Sequence, residues 1–253
     1  MPKFFCISDV HSFYFEMVHA LEQAGFDKDN EDHYLVCCGD FFDRGRHPEK
    51  IISYFNSIDR KIMIRGNHED LFIDMYKRGE PRSHDYHNGT VETALNLSPT
   101  FYLDFDIDGA IKNSYKILKP FINSMVDYFE TKNYVFTHGW IPMVLKNGIR
   151  DYRVAEYRRH PDWRHASKKC WKDARWLNGM HLADLGYTIE KTIVVGHWHT
   201  SYGHHIHDGT PENGEGADYS IFYGNGIIAI DGCTALTRNV NVLVIEDDFM
   251  EEE

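Results

Sequence analysis

The hydrophobic pattern changes period along the chain. Short apolar runs at 4–8, 34–38 and 61–64 have the length of strands, and each ends in a polar cluster. Between them, apolar residues recur at helical spacing over 12–24 and 48–57, the second opening on Pro48, whose fixed φ suits a first helical turn. A β-α-β-α-β order predicts parallel strands joined by right-handed crossovers. Ligands of such sheets bind beyond the carboxyl ends of the strands, where the three polar clusters fall.

Over 80–130 the pattern is less regular, with helical stretches at 90–97 and 116–130. A strand-like run at 134–136 leads into Thr137-His138-Gly139, and another at 192–195 leads into Gly196-His197-Trp198-His199. Residues 141–190 are basic, Trp-rich and mostly helical in pattern, which reads as a cap. Residues 203–219, rich in Gly, His, Asp and Asn, read as a long turn or mobile hairpin. Runs 227–231 and 239–245 alternate like paired strands, and the acidic 246–253 reads as a frayed tail. No repeat or linker divides the chain. The expectation is one α/β domain over 1–253 with cap insertions at about 80–130 and 141–190.

Composition narrows the class. With 42% hydrophobic residues the chain can bury a core without a disulfide framework. Cys6, Cys37 and Cys38 lie in apolar runs and, with Cys170 and Cys233, form no CxxC, so they read as reduced residues of a reducing compartment. The Cys-x5-Arg loop of cysteine phosphatases is missing. No apolar stretch approaches the ~20 residues that span a bilayer. No basic, then apolar, leader opens the chain, so a cytoplasmic location is expected. A net charge of −12 argues against stable nucleic-acid binding. Segment 146–175 departs from that balance, with ten Lys or Arg (including Lys146, Arg150, Arg153 and Arg164) against four acids. It reads either as a solvated helical face or as a wall that attracts a polyanionic substrate.

Sixteen histidines direct attention to metal chemistry. Five clusters follow five strand-like runs: Asp9-Val10-His11, Gly39-Asp40-Phe41-Phe42-Asp43-Arg44-Gly45, Gly66-Asn67-His68-Glu69, His138-Gly139 and Gly196-His197-Trp198-His199. Each alone is weak. Together they supply oxygen and imidazole donors suited to Mn, Fe, Zn or Mg, with glycines that let short side chains converge. Two metals sharing a carboxylate can clamp an in-line displacement at phosphorus.

In order and roughly in spacing, these clusters resemble the calcineurin-like metallophosphoesterase superfamily. The 39–45 and 66–69 motifs are similar to its phosphoprotein phosphatase branch, particularly the short phage- and bacterial-type enzymes. Those include Ser/Thr/Tyr protein phosphatases and symmetrical diadenosine tetraphosphatases. Ile230-Asp231-Gly232-Cys233 resembles the family's closing strand. The resemblance implies two packed central β-sheets flanked by helices, an αββα sandwich with a mostly helical cap. It implies hydrolysis of phosphomonoesters, phosphoprotein first among substrates, by direct attack of a metal-bridging hydroxide. A dinucleoside polyphosphate or other nucleotide is the alternative substrate. It implies two divalent ions per chain, manganese first, with Fe, Zn, Ni or Mg as alternatives.

Residue by residue, the resemblance implies that Asp9 and His11 bind the first metal, joined by His199. Asp40 bridges both, and Asn67, His138 and His197 bind the second. His68 becomes the general acid, with Asp43 holding its ring, and Arg44 binds phosphate oxygens. Arg175, within Trp171-Lys172-Asp173-Ala174-Arg175-Trp176, is the candidate second phosphate-binding arginine. His199 departs from the animal protein phosphatases, and Trp140 replaces a commoner second Gly, so it either narrows the pocket or packs under the cap.

Other residues carry plainer expectations. Arg65 and Glu69 read as a structural pairing. His204, His205 and His207 read as surface histidines near a complete ligand set, as do His84 and His87. Trp163, Trp171 and Trp176 read as cap packing before a base-stacking platform. A non-catalytic scaffold and a nuclease are the competing classes; the intact ligand set and the acidic surface weigh against them.

Overall fold

The structure, a computed structural model, describes residues 1–99, 106–146, 148 and 155–250. Arg150, Asp151 and Arg153 of the basic stretch, 100–105 of the first insertion and 251–253 of the tail lie outside the described residues.

Strands β1 (Lys3–Ile7), β2 (His33–Cys37) and β3 (Lys61–Met63) are parallel neighbours, connected by helices α1 (Tyr14–Gln23) and α2 (Pro48–Asn56). Alternation sorts their side chains. Phe5, Ile7, Leu35 and Cys37 face α1, α2, α3 (Asn67–Arg78), α5 (Thr90–Asn96) and α6 (Ile107–Asn123). Phe4, Cys6, Val36 and Cys38 face the other way, onto a second sheet. That sheet runs β4 (Phe129–Glu130), β5 (Tyr134–Phe136), β8 (Thr192–Val195), β10 (Ile227–Ala229), β9 (Phe222–Gly224), and its Phe136, Val194 and Ile228 meet the first. The opposite face of the second sheet, with Val135, Ile193, Val195 and Ile227, packs under the cap. Two sheets, each covered on its outer face, make the expected αββα sandwich. Each fully buried Phe or Ile contributes about 1.5–3 kcal/mol.

Several local expectations are corrected. The helix expected at 116–130 is α6, Ile107–Asn123: Asp106 caps it through the Gly109 N–H, and it stops because Val126 returns to pair beside β3. Runs 227–231 and 239–245 do not pair with each other. β10 lies between β8 and β9, while β11 (Leu243–Glu246) runs antiparallel to β1. The 203–219 turn begins as helix α9 (Ser201–Asp208), because Gly203 presses on the Phe222 ring and His204 and His207 lie 5.3 Å from it. The tail is tied down as far as Phe249, which packs on Phe4 and Tyr34, while Asp247 accepts from Asn133.

The cap segment holds a hairpin, β6 (Met143–Leu145) with β7 (Tyr157–Arg159), besides helices α7 (Lys168–Ala174) and α8 (Gly179–Asp184). Three of its basic side chains meet carboxylates of the body. Arg164 pairs with Glu130, Lys172 with Asp74, and Arg175 with Asp70 and Asp127. The short helices α4 (Ser83–His87) and α10 (Thr234–Thr237) complete the described elements. No helix among them is long and apolar enough to cross a membrane.

Candidate metal centre

Six turns converge beyond the carboxyl ends of β1, β2, β3, β5, β8 and β10. They carry Asp9 and His11; Asp40, Asp43 and Arg44; Asn67 and His68; His138; His197 and His199; and Asp231. Nine non-glycine residues among those described have positive φ, and all but Arg238 belong to these turns or the residues beside them: Asp9, His11, Ser12, Asp40, Asp43, Arg44, His197 and Cys233. Such backbone costs about 1–3 kcal/mol per residue and persists where surrounding contacts over-determine it. Here they do. Glu69 accepts the N–H groups of Asp40, Phe41 and Gly66 at 3.2, 2.9 and 2.8 Å. The His197 N–H and the Ser8 hydroxyl both donate to Asp9 Oδ2, tying the two sheets together. Gly39, at φ +95°, leaves no room for a side chain: a Cβ would lie 2.6 Å from His138 Nδ1 and 2.7 Å from Gly66 Cα.

Second-layer hydrogen bonds orient the imidazoles. His11 Nδ1 is 2.8 Å from the Phe42 carbonyl, which turns Nε2 toward Asp9 (4.0 Å) and Asp40 Oδ2 (3.9 Å). His138 Nδ1 is 2.7 Å from the Cys38 carbonyl, so Nε2 meets Asn67 Oδ1 at 2.7 Å and Asp40 Oδ1 at 3.3 Å. The donors form two groups, His11–Asp40–His68 and Asp40–His138–His197, each with ligand atoms within 4.8 Å of one another. Asp40 belongs to both. His68 Nδ1 lies 2.7 Å from Asp43 Oδ2, and Asp43 also accepts from Thr90 and Thr93 at 2.7 and 2.8 Å. Exposed Arg44 reaches back to within 3.4 Å of His68 Nε2.

The electrostatics fit a divalent metal. Burial pushes the Asp9 carboxyl up to about 6, Asp40 adding to the effect and His138 opposing it. Burial, then Asp9, pushes Asp231 up to about 8. Burial would raise Asp40 too, but His138, His68 and His11 outweigh it and hold Asp40 well below the ordinary range. Burial, then His138, lowers His197 to about 3, leaving a neutral imidazole able to ligate. Burial opposes it, but Asp40 and then Asp9 push His138 up to about 9, so the buried carboxylates draw a proton onto an imidazole where a cation would otherwise sit. The oxygen and nitrogen donors gathered there suit a divalent cation.

A family model of the calcineurin-like phosphoesterases matches residues 2–228. The chain belongs to that family. As a calcineurin-like phosphoesterase it is a hydrolase of phosphate esters. No curated protein matches its sequence significantly. Solved structures share the fold at low identity. A crystal structure provisionally ascribed to a diadenosine tetraphosphatase has a TM-score of 0.52 at 11% identity, covering 97% of this chain and 91% of the other. A mutant cold-active protein tyrosine phosphatase has a TM-score of 0.55 at 15% identity, covering 97% and 76%. The same enzyme type from the psychrophile Shewanella sp. has a TM-score of 0.50 at 15% identity, with the same coverage.

Within this phosphoesterase, Asp9, His11, Asp40, Asn67, His68, His138 and His197 come together as the motifs suggest. His199 stands outside both donor groups: its Nδ1 is 2.8 Å from Ser201 Oγ and its Nε2 3.8 Å from Glu212. Arg175 is 4% exposed and held by Asp70 at 2.6 Å and by Asp127. Arg65 pairs with Asp70 at 2.5 Å rather than with Glu69. Trp140 is fully buried and packs under the cap. The sequence reading placed Asp231 in the closing strand without a site role and passed over Thr90 and Thr93. Asp231 had a signal, a carboxylate directly after a strand-like run. The threonines had none, because only the fold brings α5 against the 39–45 turn.

Proposed function

We propose that this chain hydrolyses phosphomonoesters at a dinuclear divalent metal centre, with phosphoprotein as the first substrate class. One observation carries the reading: the two donor groups share Asp40, which turns Oδ2 toward His11 and His68 and Oδ1 toward His138. Asp9, His11 and Asp40 would hold one ion, with His199 as a further candidate ligand. Asp40, Asn67, His138 and His197 would hold the other. Manganese is the first choice, and the donor set equally accepts Fe, Zn, Ni or Mg. Metals bound there supply an acidified water and neutralise phosphate charge.

The chain's own groups do the rest. Arg44, exposed at the rim, offers its planar fork to the phosphate oxygens. His68 faces the centre through Nε2 and gives its proton to the leaving oxygen, while Asp43 on Nδ1 keeps the ring oriented and basic. Arg175 is proposed as a second phosphate-binding group only if substrate draws it away from Asp70 and Asp127. Hydrolysis of a dinucleoside polyphosphate is the second reading, favoured by an aromatic cavity next to His197.

The test is a substrate panel on metal-stripped protein, with Mn, Mg, Zn, Ni and Fe(II) restored separately. The panel compares p-nitrophenyl phosphate, a phosphopeptide and diadenosine tetraphosphate. A tenfold preference for the phosphopeptide supports the first substrate class, and the reverse supports the second. No turnover with any metal removes the proposal.

A further inference from the structure

We infer that the cavity beside the metal centre is a purine-binding pocket, which admits nucleotides to the site as the second reading requires. This rests on the phosphatase reading above and gives that second substrate class its recognition element. The cavity measures about 410 Å³, within the range of small-molecule sites, and lies between the β6–β7 hairpin, α7, α8 and the turn after β8. Its edge reaches the centre: the Trp176 and Trp198 rings lie 5.9 and 6.1 Å from the His197 ring. The cap tryptophans divide accordingly. Trp163 and Trp171 are packed inside, whereas Trp176 lines the cavity at 48% exposure.

The lining chemistry selects the occupant. Met143 and Leu145 give it an apolar wall, and no Lys or Arg among the described residues lines it, so a phosphate group has no partner there. Asn178 lines it and is 8% exposed. Its Oδ1 accepts the His181 N–H at 3.1 Å to cap α8, but its Nδ2 has no partner among the described residues. A buried amide donor left unmade is costly, and a ring acceptor in the cavity would satisfy it. Exposed Asp173 offers an acceptor for an exocyclic amino group. Adenine presents an acceptor next to an amino donor on one edge and stacks on indoles through its face. A phosphoserine side chain would leave both indoles and Asn178 unused. A phosphotyrosine ring has no edge acceptor for Nδ2.

The metal-loaded chain is titrated calorimetrically with adenosine, ribose 5-phosphate and p-cresol, and turnover of diadenosine tetraphosphate is compared with that of a phosphoserine peptide free of aromatic residues. Adenosine is expected to bind without any phosphate. Asn178→Asp keeps the helix cap and removes the donor. It should weaken adenosine and raise KM for the dinucleotide by roughly tenfold, leaving the peptide unaffected. Trp176→Ala, at an exposed position, should weaken adenosine by roughly ten- to a hundredfold. The inference is overturned if adenosine does not bind at millimolar concentration, or if neither variant changes its binding. It is also overturned if p-cresol binds as tightly, which would point to an aryl phosphate. Adenosine binding that depends on Asn178, with no substrate turned over, would leave the pocket standing and remove the phosphatase reading.

Discussion

His68→Asn separates proton transfer from metal binding. The ring is 4% exposed, with Nδ1 2.7 Å from Asp43 Oδ2 and Nε2 3.8 Å from Asp40 Oδ2. Burial would lower its pKa, yet Asp40 and Asp43 outweigh that and raise it, which favours the protonated ring. Asparagine can still hydrogen-bond toward Asp43 but has no proton to give. Losing a positioned general acid slows turnover by about 10²–10⁴-fold, or about 2.7–5.4 kcal/mol in activation free energy. The effect should be largest for an alkyl phosphate, whose leaving oxygen needs the proton, and small for p-nitrophenyl phosphate. The assay is kcat and KM on both esters, with metal content measured by elemental analysis on the same samples. Equal slowing of both esters would refute the acid role. Loss of a metal ion from the variant would make His68 a ligand in the His11–Asp40 group.

Three further outcomes are expected. Asp40→Asn should abolish turnover and lower metal content, because both donor groups use that carboxylate; near-normal activity would remove its bridging role. Gly39→Ala should destabilise the metal-loaded protein by about 2–5 kcal/mol in denaturant unfolding, combining about 1–2 for the left-handed backbone with about 1–3 for overpacking against His138; a change under about 0.5 kcal/mol would contradict the close approach. For Glu130, burial raises the pKa, but hydrogen bonds from Arg164 and Lys191 outweigh it and leave the carboxyl depressed. Its stabilising contribution is therefore present above the ordinary Glu pKa and lost as pH falls through the lower folded value. The gap in Tm between wild type and Glu130→Gln should be widest near neutral pH and close in acid, and a gap that grows in acid would reverse the assignment.

The carboxyl-end clusters were legible because each donor follows its strand within a few residues, so local order alone carries them to one edge. Short apolar runs marked β1, β2, β3, β5 and β8 for the same reason. Elements whose boundaries depend on distant partners were not legible. α6 ends where Val126 joins β3, and the acidic tail is ordered because Phe249 finds Phe4 across the sheet. β10 and β11 look alike in pattern, yet each finds its neighbours in a different sheet.

By itself the sequence determined the donor types, their order and the glycines that let them converge, because these follow from covalent chemistry and local backbone freedom. Tertiary structure alone decided that one carboxylate, Asp40, serves two groups of donors. It also decided that Arg175 is held by Asp70 and Asp127, that Asp9 stands close enough to Asp231 to help raise its pKa, and that one tryptophan of the cap faces a cavity while two face the core. Each of those depends on which surfaces two sheets and a cap bring together, and that proximity is set by packing across the whole chain rather than by any local run of residues.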